Sequence, residues 1–299
     1  MTNTNSLHLA GGNKVLLNRY VNVTPTYNPP ADFVVGVDST TPLRSATDVT
    51  NRIPIDDGTI NDDGDNTLTG SDAGVNSTDN TTTFKEGAST TDDTAQNLIK
   101  DDSDTVAMWT ISNLASAGVV INITEYAGFW FYIKDATAYA KLRTADWCLQ
   151  IRLGSDASNL YTKTWNYDDL TTGWNWLPLG IVGSMTQSGT PTGTIDYFAL
   201  RMITNNTTDE FAAGDIIYDM LRQWEIADTV KALDSSIHYE SNEEIVFEAK
   251  LTTTDCVGFL LDSICVFNDD STPIACSLDV MDENSKSADD VFIYTITER

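Results

Sequence analysis

The stretch Gly128-Phe129-Trp130-Phe131-Tyr132-Ile133-Lys134 is an unbroken run of aromatic and β-branched residues, closed by Asp135. Side chains of this kind fit a pleated, half-buried surface, so the run reads as a strand. Similar runs surround it at Val106–Ile111, Val119–Ile123, Asp146–Leu153, Tyr161–Asn166, Asn175–Leu179, Thr194–Ile203 and Ile216–Glu225. Gly, Asp, Asn and Thr clusters separate them, and that spacing suits an all-β sandwich or barrel. Helix signals are sparse: Ala136–Leu142 and Asp228–Leu233 are the best candidates, both too short to build a helical layer.

All seven Trp fall between residues 109 and 224, which marks a central domain. Its approach, residues 56–82, is rich in Asp, Gly, Asn, Ser and Thr and reads as loop with one short edge strand at most. The outer segments carry shorter strand signals, at Phe33–Val37, Ile245–Thr252, Gly258–Phe267 and Val291–Ile296. A domain inserted into an exposed loop of another produces such an arrangement, because inserted ends lie close together. The expected organisation is a sandwich over 56–228, inserted into a smaller β-rich platform formed by residues 1–55 and 229–299.

The chain has 299 residues, 41% of them hydrophobic, with 44 Asp and Glu against 17 Lys and Arg, a formal charge of -27. This is enough apolar material to fold. The charge repels phosphate backbones and anionic membrane surfaces, so nucleic acid is not expected as a partner. Nothing approaches the roughly 20 consecutive apolar residues of a membrane helix, so no membrane insertion is expected. The first residues lack the basic patch and apolar run of a secretory signal. The four cysteines, Cys148, Cys256, Cys265 and Cys276, lack CxxC spacing, and with two His in the chain a zinc site is not expected. Cys265 and Cys276 flank an Asn-Asp-Asp-Ser-Thr-Pro turn and could face each other across a hairpin, but isolated buried thiols are the expectation.

From Thr83-Phe84-Lys85-Glu86-Gly87-Ala88-Ser89 onward the chain resembles the jelly-roll carbohydrate-binding modules. The likeness continues through the 128–135 stretch, Leu149–Asp156, Tyr161-Thr162-Lys163-Thr164-Trp165, Gly173-Trp174-Asn175 and Ile216-Ile217-Tyr218-Asp219, covering residues 66–226. It implies a jelly-roll β-sandwich and a structural calcium near Glu86, close to Asp219 of the last strand. The run Asp62-Asp63-Gly64-Asp65 lacks the Glu that closes an EF-hand loop. Both outer segments resemble tailed-virus (phage-type) structural proteins. The residues involved are Phe33–Pro42, Asn51-Arg52-Ile53-Pro54, Phe259–Asp270 and Val291–Ile296, with Asp262-Ser263-Ile264 departing from the family's acidic residue followed by Ile/Leu-Gly.

Aromatic rings stack on the apolar faces of sugars while neighbouring polar groups bind hydroxyls. Trp165, Tyr167, Asp168, Trp174 and Trp176 are therefore the candidate carbohydrate-binding residues. Trp165 and Tyr167 are expected at the surface. Trp174 and Trp176 share one face of a strand and are expected mainly in the core. No catalytic residues are assigned: His8 and His238 lack a nucleophile setting, and the chain has no phosphate loop or dinucleotide fingerprint.

The expectation is a non-enzymatic virion component, a capsid decoration protein or tail appendage, assembled in a host cytoplasm. It would contact other virion proteins, form a homo-oligomer such as a trimer, and display a sandwich that binds host-surface glycans. The alternatives are a free or cell-attached lectin-like module and, third, a glycosidase. No cofactor beyond the structural calcium is expected.

Overall fold

The computed structural model describes residues 7–22, 24–37, 45–49, 51–55, 59–62, 68–70, 74–85, 94–101, 106–114, 120–239, 244–253, 255–256, 259–285 and 291–298. The chain divides into two compact units, residues 58–225 and residues 1–57 with 226–299. Its elements begin with β1 (Leu7–His8), α1 (Ala10–Val21), β2 (Pro30–Val37) and β3 (Asn51–Arg52). The central unit contains β4 (Thr59–Asp62), β5 (Thr69–Gly70), β6 (Val75–Asn80), β7 (Ala95–Lys100), β8 (Met108–Leu114), β9 (Tyr126–Ile133) and α2 (Ala136–Lys141). It continues with β10 (Trp147–Gly154), β11 (Leu160–Asn166), β12 (Gly173–Ile181), β13 (Thr186–Ser188), β14 (Tyr197–Ile203) and β15 (Ile216–Trp224). The last elements are β16 (Lys231–Ala232), β17 (Ser235–Tyr239), β18 (Glu244–Leu251), β19 (Leu260–Asn268), β20 (Ala275–Ser285) and β21 (Phe292–Glu298).

The central unit is a β-sandwich. Its front sheet runs β12-β9-β15-β7-β6, with β4 added to β15; its back sheet runs β13-β11-β10-β14-β8-β5. All pairings are antiparallel, and successive strands cross between sheets, as from β8 to β9 to β10. Alternation sends Phe129, Phe131 and Ile133 of β9 inward against Leu149, Ile151 and Leu153 of β10 and Phe198 and Leu200 of β14. These side chains are no more than 1% exposed. One inward lysine is polar mortar: Lys163 of β11 reaches across the sandwich and donates to the backbone oxygen of Pro178 on β12. Burying a Lys stem while its ammonium finds a carbonyl satisfies both ends of the side chain.

Several local expectations change. Val119–Ile123 is not a strand over its described residues. Asn122 Oδ1 instead accepts the Thr124 amide at 3.1 Å and its hydroxyl at 2.9 Å, an Asx turn that competes with the ladder. The helix expected at Asp228–Leu233 is a single 3-10 turn, Ala227–Thr229, followed by β16. The polar approach, expected as loop with one short edge strand, carries three strands, β4, β5 and the six-residue edge strand β6, where Asn80 and Asn97 bond at 2.8 Å beside the β6–β7 ladder. At Ala136 the helix forms as expected, since Asp135 Oδ1 accepts the Thr137 and Ala138 amides.

In the other unit, β2 lies between β19 and β16 in a six-stranded sheet, β1-β20-β19-β2-β16 with β3 on β2; β17-β18-β21 form a separate sheet. Val34, Cys265, Phe267 and Leu278 share a core with Leu9 and Val49. Helix α1 carries Gly11 and Gly12 directly after its first residue, Ala10, which sequence propensity disfavours. A Cβ on Gly11 would stand 2.3 Å from the Ala275 carbonyl oxygen, so glycine is what lets the helix meet β20. Among the described residues no helix is long and apolar enough to cross a membrane.

None of the four cysteines is in a disulfide, and all four are buried. Cys265 and Cys276 sit on adjacent strands of the β19–β20 hairpin. Burial pushes the Cys148 thiol up to about 12 and drives Cys265 well above its ordinary value. Thiolate is the reactive form, so Ellman's reagent at pH 8 is expected to find all four cysteines silent in the native protein and all four reactive in denaturant. Rapid native reaction of any of them would contradict this packing.

Candidate functional site

The outward face of the front sheet is built by the residues that alternate with the core. On β9 these are Tyr126, Gly128, Trp130 and Tyr132; on β12, Trp174, Trp176 and Pro178; on β15, Ile217, Asp219, Arg222 and Trp224. Register sets them in rungs: Trp174–Tyr132–Ile217, Trp176–Trp130–Asp219 and Pro178–Gly128–Arg222. The β15 strand stays in step only because of a bulge between Asp219 and Arg222, where Met220 takes φ of 42°. A bulge re-aims the residues that follow it, and here it turns Leu221 into the core and Arg222 outward.

The rings make one continuous strip. Tyr132 and Trp174 have centroids 5.1 Å apart, Trp174 and Trp130 6.4 Å, Trp130 and Trp176 5.1 Å, Trp176 and Trp224 5.9 Å, and Trp224 and Tyr126 6.3 Å. Trp130 and Trp224 are buried at its centre, whereas Tyr126, Tyr132, Trp174 and Trp176 are half-exposed. Gly128 is the floor under one ring: a Cβ there would come within 2.3 Å of Trp176 Cζ2. Gly128→Ala is therefore expected to tilt the Trp176 indole, alter the near-ultraviolet circular dichroism of the coupled indoles and cost about 1–3 kcal/mol. An unchanged near-ultraviolet spectrum would contradict the contact.

Polar groups lie along the strip. Lys85 holds its ammonium 4.2 Å from the centroid of Trp130 and 5.9 Å from that of Trp174. Its backbone N–H donates to Asp219 Oδ2 at 2.6 Å. Burial pushes the Lys85 ammonium below its usual range, Arg222 pushes it further, and Asp219 opposes both. Asp219 is fully buried and Arg222 is 1% exposed. Asp219 is the one carboxylate among the outward side chains of β9, β12 and β15. The face thus offers ring faces, an ammonium and one shielded carboxylate, a set suited to binding.

The five candidate binding residues do not come together as one site. Trp165 is in the core, 7% exposed and edge-on to Phe129 at 5.5 Å, because it shares the inward parity of Tyr161 and Lys163 on β11. Tyr167 and exposed Asp168 lie in the 3-10 turn Tyr167–Asp169 between the two sheets, where Tyr167 packs on Tyr139 with centroids 4.0 Å apart. Trp174 and Trp176, expected in the core, are on the outward face instead. Trp130 and Tyr132 join the site although they are not among the five candidates, and alternation along 128–134 is the signal that places them on one face; Lys85 joins it with no such local signal.

Glu86 lies outside the described residues, as do residues 63–65 of the acidic run. Asp219 is described: its Oδ2 accepts the Lys85 amide, and Lys85 and Arg222 are the neighbouring charges. Among the described residues no group of three or more His, Cys, Asp or Glu is placed to hold a metal. Melting with calcium and with EDTA tests the Glu86–Asp219 expectation: a rise of several degrees with calcium, reversed by EDTA, supports it, and an unchanged midpoint removes it.

No protein-family model matches the chain, and no curated protein does. Among solved structures, the chain is similar to a carbohydrate-binding module of the β-sandwich superfamily, reported for promiscuous specificity. Identity is 16%, the TM-score is 0.34, and the match covers 68% of this chain and 80% of that one. At that level of likeness the neighbour's specificity says nothing about this chain. What the structure defines is an all-β protein whose central unit is a β-sandwich with an aromatic outer face.

Proposed function

We propose that the central unit is a non-catalytic carbohydrate-binding module that lays a glycan along the aromatic strip of the front sheet. The observation that carries this reading is the pair Trp174 and Trp176, partly exposed on one face of an edge strand and continuous with Tyr132. Soluble proteins bury most of such surface unless it meets a partner. Sugar rings present apolar faces to indoles, and Lys85 supplies hydrogen-bond donors beside them. Along β9 the strip spans about 20 Å, at the strand rise of roughly 3.3 Å per residue.

A glycan array followed by calorimetry on the hits tests this. Trp174→Ala and Trp176→Ala are each expected to weaken binding at least about tenfold, at the upper end of what stacking contributes, with far-ultraviolet circular dichroism unchanged. Absence of any binding across a broad panel, or binding indifferent to both changes, would remove the proposal. Hydrolysis of a bound polysaccharide would replace it with the glycosidase reading.

A second reading, in which the module is carried on a virion as a decoration or appendage, rests on the sequence resemblance of the outer segments alone, with no family model or curated protein matching them. It would then contact other virion proteins and follow the symmetry of its attachment point, with a trimer as the first expectation. Mass spectrometry of purified particles and light scattering of the isolated chain test those two parts separately.

A further inference from the structure

The outward face of the back sheet differs from the rest of this acidic chain. None of the strands β5, β8, β10, β11, β13 and β14 contains an Asp or Glu, although the chain has 44. Two arginines face outward there on neighbouring strands. Arg201 of β14 sits opposite Gln150 of β10 and Thr110 of β8, while Arg152 of β10 sits opposite Ala199 of β14 and Thr162 of β11. Arg152 and Arg201 are therefore diagonal neighbours, about 7–8 Å apart along the backbone and within reach of one another through their long side chains.

Each arginine uses its Nε on a neutral partner. Arg152 Nε donates to Gln150 Oε1 at 2.7 Å, and Arg201 Nε donates to Thr110 Oγ1 at 3.3 Å. Among the described residues neither makes an ion pair, and no hydrogen bond engages their terminal Nη groups. Arg52 and Arg143, by contrast, are paired with Asp48 and Asp146. Both back-sheet arginines are half-buried, and Tyr197 beside them is 6% exposed. Burial works against the charge on Arg152, and Arg201 adds to that effect. Two like charges with partial desolvation repel each other, so this arrangement costs energy in the ligand-free protein. An oxyanion bridging the two forks would reverse the sign, because guanidinium matches carboxylate and sulfate geometry.

We propose that Arg152 and Arg201 form an oxyanion-binding site for a carboxylate or sulfate group, either free or carried by an acidic saccharide. The Nη groups of both arginines grip the oxyanion. Leu160, Tyr197 and Ala199 make a small apolar cluster beside it, and Thr162 offers a hydroxyl. The site is on the opposite sheet from the aromatic strip and stands independently of it.

Calorimetry and thermal shift on the full chain test the site, with sodium sulfate against sodium chloride at equal ionic strength, then an oligogalacturonate, a sulfated oligosaccharide and a neutral oligosaccharide. The expected result is saturable binding of at least one oxyanion, weakened about tenfold or more by Arg152→Gln or Arg201→Gln and lost in the double variant. Response to sulfate alone assigns a free-ion site, and response only to an acidic oligosaccharide assigns a saccharide site. Trp174→Ala should leave this binding intact, which separates its failure from failure of the aromatic-strip proposal. In the absence of ligand each Gln variant should melt no lower than the parent, since it removes a repulsion. No saturable response to any of these oxyanions, a response that survives the double variant, or a ligand-free Gln variant melting several degrees lower would overturn the proposal.

Discussion

Asp219→Ala is expected to destabilise the central unit by about 3–5 kcal/mol, the range for removing one partner from a buried charged network. Asp219 is fully buried, and its Oδ2 holds the Lys85 amide at 2.6 Å. It is also the counter-charge between Lys85 and Arg222, which otherwise push against each other. Removing it leaves an amide without its acceptor and two cations facing one another across a strand bulge. Asp219→Asn keeps an acceptor for the amide but not the charge, so its loss should fall between alanine and the parent. Urea unfolding followed by circular dichroism reads both. An alanine variant with the parent's midpoint would show that the carboxylate has no such role.

Trp165→Ala is expected to cost a similar amount, about 3–5 kcal/mol, through cavity formation in the core. The indole is 7% exposed and meets Phe129 edge-on at the centre of the sandwich. Trp174→Ala removes a ring that is only partly buried, so it should cost less stability and more binding. The contrast between the two variants is the useful measurement. Loss of stability with Trp165→Ala and of affinity with Trp174→Ala supports the separation of core from face. A destabilised Trp174→Ala with a stable Trp165→Ala would invert it.

Much of the fold was legible because strands announce themselves by composition. Gly128–Lys134, Asp146–Leu153, Tyr161–Asn166 and Ile216–Glu225 each lie within a residue or two of an observed strand. Parity was less legible. In Trp174-Asn175-Trp176 the sequence says that the indoles share a face, but which face depends on register with β9, and a shift of one residue exchanges inside for outside. That is why Trp165 and the Trp174–Trp176 pair exchanged places between expectation and structure. Helix α1 was hidden by its opening glycines, and β6 by a polar sequence that an edge strand tolerates. Lys85 and Asp219, far apart in sequence, meet through an amide that no local pattern encodes. Arg152 and Arg201 become neighbours only through the β10–β14 pairing.

Strand β12 is the outer strand of the front sheet, and its free side could accept a strand from another molecule. Pro178 has no N–H to offer there, and its carbonyl oxygen is already occupied by the Lys163 ammonium. Gly180, at φ of 75°, then bends the strand through a second bulge. The aromatic strip therefore stands next to a sheet border that lacks a donor and an open acceptor at Pro178, which works against strand-on-strand pairing there.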